Sequence, residues 1–98
     1  MARYHKGRRF EYRVRDLLRS RGYIVFRCAA SKPIDLIALK DDKVLLVECK
    51  SGGARLDKRM HEFIREVLCR TRAVVLIARR EGGRIKFLSY NGYTECKV

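Results

Sequence analysis

Ile34-Asp35-Leu36-Ile37-Ala38 and, after a short charged turn, Val44-Leu45-Leu46-Val47-Glu48-Cys49-Lys50 read as two buried β-strands that nonetheless carry an aspartate, a glutamate and a lysine. Carboxylates and ammonium groups are almost never buried unless paired or bound to metal. Side chains alternate along a strand, so Glu48 and Lys50 share a face with Val44 and Leu46, while Val47 and Cys49 point to the other. The second strand is therefore apolar until its charged end, and Asp35 is expected at the same open edge. Two oxygen ligands for a hard cation beside an ammonium group suit hydrolysis of a phosphodiester. The competing reading is a strand that leaves the core with a solvated ion pair at its end. Asp35 weighs against it, because four apolar residues, Leu36 to Leu39, follow the charge directly.

Outward from this pair of strands, the patterning gives one small domain. Residues 6–21 read as a helix with Phe10, Val14, Leu17 and Leu18 on one stripe and Gly22 as its stop. Residues 23–28 form a β-rich run, and residues 29–33 a loop. Residues 34–39 and 43–50 are the two strands, joined by a hairpin-length connection. Residues 51–54 break the pattern. Asp57 is placed to cap a second helix reaching about residue 70, with Met60, Phe63, Ile64, Val67 and Leu68 as its core stripe. The run Ala73-Val74-Val75-Leu76-Ile77-Ala78 is expected to be covered on both faces. Gly82 and Gly83 turn the chain into a last strand over residues 84–90. The predicted class is α/β: a mixed five-stranded sheet flanked by helices, in the order α-β-β-β-α-β-β.

Composition narrows the partner. The 98 residues carry a formal charge of +13, self-repulsion that does nothing for the stability of so small a core. Residues 1–30 hold nine Lys or Arg against Glu11 and Asp16, a local charge of +7, and residues 1–6 are expected to form a flexible basic arm. Such density points to a polyanion, nucleic acid first. A basic helix lying on a membrane would want a stronger aromatic and apolar face than this one has. No run has transmembrane length and no signal peptide is evident, so a cytoplasmic, nucleoid-associated protein is expected, with neither a membrane nor a small-molecule partner. Cys28, Cys49, Cys69 and Cys96 form no C-x-x-C pair, so they are read as buried free thiols rather than zinc ligands. His5 and His61 are read outside the chemistry, His61 as exposed or facing nucleic acid. Most of the five tyrosines are read as packing residues.

The order helix, Asp, Glu-x-Lys, helix resembles the PD-(D/E)xK, or restriction-endonuclease-like, nuclease superfamily, and within it the archaeal Holliday junction resolvases. The likeness rests on Lys6-Gly7-Arg8-Arg9-Phe10-Glu11, on Gly22-Tyr23-Ile24-Val25-Phe26-Arg27, and on Ala29-Ala30-Ser31-Lys32-Pro33-Ile34-Asp35. The Glu48-Cys49-Lys50 triplet and the basic segment after it complete it. The chain departs from the usual pattern at Ala30, where glycine is common, and at Cys49, where valine is common. The resemblance implies a restriction-endonuclease-like fold and a homodimeric endonuclease that cuts four-way DNA junctions with Mg²⁺, Mn²⁺ substituting. It assigns Asp35 and Glu48 as metal ligands, helped by the Cys49 backbone carbonyl, with Lys50 acting on the attacking water. Glu11 becomes an outer or second-metal ligand, and Ser31 a contact to the scissile phosphate. On the residues alone, Glu11 reads equally well as an ion-pair partner of Arg15 four residues on, and Ser31 as a turn residue. The nucleic acid is assigned to Arg3, Lys6, Arg8, Arg9, Arg27, Lys32, Arg55, Lys58 and Arg59. Two alternatives stay open: another nuclease of the superfamily directed to restriction, repair or RNA, and a non-catalytic DNA-binding protein on the same scaffold.

Overall fold

The computed structural model of the chain describes residues 2–28, 33–50, 56–91 and 93–98, with side chains from Arg8 onward. Helix α1 spans Ala2–Ser20, beginning ahead of the expected residue 6. Its stripe of Phe10, Val14 and Leu18, four residues apart, is buried. The helix stops as the sequence predicts. Tyr23 N–H reaches back to the Leu18 carbonyl and Gly22 N–H to that of Arg19, a Schellman closure that needs the positive φ of Gly22, +94°. Lys40 Nζ donates to the Arg21 carbonyl at 2.8 Å and so satisfies another group at the helix end.

Strands β1 (Ile24–Arg27), β2 (Leu36–Lys40) and β3 (Lys43–Lys50) follow as an antiparallel meander. The β2–β3 turn passes through Asp41, whose φ of 53° is tolerated by a short polar side chain. Helix α2 (Lys58–Arg70) starts at the expected cap, with Asp57 Oδ1 accepting from Met60 N–H at 2.8 Å. It crosses back so that β4 (Val74–Glu81) lies parallel to β3. Gly82 and Gly83, both at positive φ, then make the tight turn into β5 (Arg84–Ser89).

The predicted five strands become six. A two-residue strand, β6 (Glu95–Cys96), pairs with β5, so the order gains a final β. So short a run shows no periodicity and is held by its pairing with β5, Leu88 opposite Glu95 and Phe87 opposite Cys96, beside the turn bond from Ser89 N–H to the Thr94 carbonyl at 2.7 Å. The sheet order is β1-β2-β3-β4-β5-β6, with only β3 and β4 parallel.

The two faces differ. Against α1 lie Val25, Leu36, Ala38, Leu45, Val47, Leu76, Ala78 and Phe87, all buried. Against α2 the buried cluster is smaller, Ile34, Leu46, Ile64 and Val75, with Ile77 buried further along the same face of β4 and Met60, Phe63, Val67 and Leu68 only half-buried around it. The four cysteines form no disulfide with one another, but Cys69 is exposed and the others half-buried rather than buried. His61 is half-buried too, its Nδ1 2.7 Å from the Tyr90 hydroxyl, because α2 settles over the end of β5. Among the described residues no helix is long and apolar enough to cross a membrane.

Candidate active site

The antiparallel register of β2 on β3 pairs Leu36 with Val47. One step further along the same register, Asp35 comes opposite Glu48, and directly opposed residues of a pair point to the same face. Asp35 is fixed there by its backbone and side chain together. Its carbonyl accepts from Cys28 N–H at 2.9 Å, and its Oδ2 accepts from Cys49 N–H at 2.9 Å. Glu48 is 6 % exposed, the only buried charged residue among those described. Its Oε2 sits 3.4 Å from Lys50 Nζ, and its Oε1 is buried with no hydrogen-bond partner among the described residues.

Burial and the neighbouring Asp35 carboxylate push the Glu48 carboxyl up to about 8, against the opposing pull of Lys50. In the ion-free protein Glu48 therefore tends to keep its proton near neutral pH. An orphaned, desolvated carboxylate oxygen beside a second carboxylate is a donor set that a hard cation satisfies. Among the described residues no three His, Cys, Asp or Glu side chains gather as a metal shell. The candidate set is thus two carboxylates, which suits an ion that keeps several waters and takes further oxygens from a phosphate. The Cys49 thiol is pushed up by burial first and by the carboxylates Asp35, Glu11 and Glu48 second, so it stays protonated and is no ligand itself.

Glu11 and Arg27 meet beside this pair. Arg27 Nε donates to Glu11 Oε1 at 2.6 Å, with the Glu11 side chain 15 % exposed. Arg15, the ion-pair partner considered above, does not take that role and turns instead to Asp16, 2.9 Å away. The Tyr12 ring lies under both guanidinium groups, 4.6 Å from Arg15 and 5.0 Å from Arg27. The Tyr12–Arg15 contact was readable in the sequence as a spacing of three on a helix. The Arg27 contact was not, since it forms only when β1 packs beside α1.

Of the other sequence-predicted residues, Arg8 and Arg9 are exposed on α1, and Lys58 and Arg59 are exposed on the first turn of α2. Ser31, Lys32 and Arg55 lie outside the described residues, as do the side chains of Arg3 and Lys6. The structure thus brings Asp35, Glu48, Cys49 and Lys50 together, with Glu11 and Arg27 as an adjoining pair.

The chain is similar to a curated protein of Methanocaldococcus jannaschii named crossover junction endodeoxyribonuclease Hjc, with 45 % identity over 51 residues. That match covers 52 % of this chain and 38 % of the relative's length. The family description of the archaeal Holliday junction resolvases (Hjc) matches residues 2–94, which takes in α1, the Asp35–Glu48 pair, α2 and the strands through β5. With that match running across every element that builds the site, the chain belongs to the archaeal Holliday junction resolvase (Hjc) family.

Proposed function

We propose that the chain is a divalent-metal-dependent, structure-selective DNA endonuclease that resolves four-way junctions by paired phosphodiester hydrolysis in recombination and repair. The observation that carries this reading is the buried Glu48, one oxygen unpartnered, in register with Asp35 and 3.4 Å from Lys50. Asp35 and Glu48 would hold Mg²⁺, with Mn²⁺ substituting. The Cys49 carbonyl would assist: a strand residue directs its N–H and C=O to the same side, and the Cys49 N–H already points to Asp35. Bound there, the cation supplies Lewis acidity at the phosphate and acidity to the attacking water. Glu48 must first give up its proton, because carboxylates ligate in the deprotonated form. Lys50 orients or deprotonates the water and offsets charge on the phosphate. Glu11, already bonded to Arg27, serves at the rim, and Ser31 contacts the scissile phosphate.

DNA is the macromolecular partner, held by the basic residues of α1 and of the first turn of α2, in a cytoplasmic, nucleoid-associated setting. The active form is a homodimer, since resolving a junction without leaving a nick takes two symmetric cuts and a twofold dimer matches a twofold substrate. The apolar runs are largely internal: Leu45 to Val47, Val75 to Ala78 and Phe87 are buried within one chain. Among the described residues the large hydrophobics left exposed are Ile24 and Phe26 on edge strand β1, with Val44, Val74 and Tyr93. Labelled four-way junction, linear duplex and single-stranded DNA, each incubated with and without Mg²⁺, test the activity. Cleavage of the junction alone, and only with metal, is expected. Equal cleavage of duplex would move the reading to a general nuclease. Light scattering of a monomer that stays monomeric on DNA would remove the paired cut.

A further inference from the structure

Tyr12 is half-buried on α1, and two guanidinium groups lie on its ring, one from its own helix and one from the end of β1. Bringing two like charges to one aromatic face costs Coulomb energy unless anions offset it, and here each guanidinium has its own carboxylate. Arg15 places both Nε and Nη2 on Asp16 Oδ1, at 3.0 and 2.9 Å. Arg27 is held differently. Only its Nε is engaged, at 2.6 Å to Glu11, and its terminal amino groups make no hydrogen bond among the described residues, with the side chain 37 % exposed. A guanidinium fixed through Nε and stacked on a ring keeps its fork free in a set orientation, the geometry that takes a phosphate through two hydrogen bonds.

The position of that fork matters. Arg27 is the last residue of β1, and the next one, Cys28, donates its N–H to the carbonyl of Asp35. Asp35 also acts electrostatically on Arg27 across the strand pair. The fork thus stands within electrostatic reach of Asp35, the residue before the Leu36 that pairs with Arg27, where a DNA backbone laid across the site would present its neighbouring phosphates. We propose that Tyr12 is a positioning residue for DNA: its ring, together with Glu11, holds the Arg27 guanidinium so that its free amino groups grip a backbone phosphate adjoining the cleaved one. The inference rests on the nuclease reading for its site, but not for its measurement, which is binding. It also gives Glu11 a different employment from metal ligation, as the anchor of Arg27.

The test is a double-mutant cycle on four-way junction binding, read by fluorescence anisotropy in the presence of a chelator so that no strand is cut. Tyr12→Leu removes the ring and should weaken binding about three- to tenfold, the range of a partly desolvated cation–π contact. Tyr12→Phe keeps the ring and should stay within about twofold of the parent, since phenylalanine also offers a π-face. In an Arg27→Ala background Tyr12→Leu should add nothing, because the residue it positions is gone. In cleavage with Mg²⁺, Tyr12→Leu should raise KM with kcat near the parent value. Parent-like binding by Tyr12→Leu, or losses that simply add with those of Arg27→Ala, would overturn the proposal. Should Tyr12→Leu fail to melt cooperatively, Arg27→Lys on the intact ring decides: it keeps the charge without the fork and should lose a comparable share of affinity, and full retention overturns the proposal. A parent chain that binds junctions and cuts no DNA would instead sink the nuclease reading, leaving the binding cycle to judge Tyr12.

Discussion

On the α1 face of the sheet, Phe10, Val14 and Leu18 close over Leu36, Val47, Leu76 and Ala78 in a cluster made of apolar side chains alone. On the α2 face, Ile34, Leu46, Ile64 and Val75 are the buried members of the cluster, and the strand beneath them runs on into Glu48 and Lys50. The two faces share the same strands, so the difference lies in which residue of each alternating pair is charged. The larger apolar cluster on the α1 side supplies burial at about 25 cal/mol per Å². On the thinner α2 face the same strand ends in Glu48 and Lys50. The cost of keeping a desolvated carboxyl at Glu48 is carried by the packing on the other side.

The largest expected effect breaks the charged end of the thin face. Asp35→Asn and Glu48→Gln should each lower junction cleavage by more than about a hundredfold, since even partners of metal ligands are worth ten- to a hundredfold. Junction affinity measured in a chelator should change little, because the two carboxylates face a cation rather than the phosphate backbone. Full cleavage by either variant would remove the proposed site.

The next effect contrasts the faces as packing. Leu36→Ala or Leu18→Ala, at fully buried positions of the α1 cluster, should cost about 2–5 kcal/mol in urea unfolding. Met60→Ala, half-buried on α2 against the sheet, should cost about 1 kcal/mol. Equal losses would show that the two faces contribute alike. A smaller effect separates charge from packing. Replacing Arg3, Lys6, Arg8 and Arg9 together by alanine should flatten the log–log salt dependence of DNA binding by about 3–4 units, at roughly 0.9 per phosphate contact. An unchanged slope would put the DNA on another basic surface.

What the sequence made legible follows the same division between local and distant causes. The bounds of β3, the Asp57 cap and the Gly22 stop were readable because each depends on residues within a few positions of itself. Asp35 and Glu48 were readable because charge inside an apolar run is costly wherever the chain goes. The end of β4 was not. The strand runs on through Arg79, Arg80 and Glu81, polar residues that belong to it because β5 pairs with all three and Lys50 of β3 with Arg79. Nor was the Glu11–Arg27–Tyr12 cluster, since 16 residues separate Glu11 from Arg27 and only the packing of β1 beside α1 joins them. Ile24 and Phe26, in the run read as β-rich, are exposed because β1 is an edge strand covered on one face alone.

The smallest expected effect sharpens the comparison through pH. In the ion-free protein Glu48 has a carboxyl raised from its ordinary 4.5 to about 8. The folded state then holds a proton that the unfolded chain releases at lower pH, so folding is favoured most below about 4.5 and loses that contribution as pH rises through about 8. Thermal melts of the chelated parent should therefore fall steadily from pH 5 to 9, beyond any drift shared by all variants. Glu48→Gln places a neutral amide of the same shape at that position and should flatten the decline, although it has lost cleavage. Adding Mg²⁺ to the parent should raise the melting temperature most at the alkaline end, where Glu48 is ionised and ready to ligate. The same addition should leave Glu48→Gln nearly unmoved. A parent and a Glu48→Gln variant with parallel pH curves would mean that Glu48 is not the desolvated carboxyl of the thin face, whatever its part in cleavage.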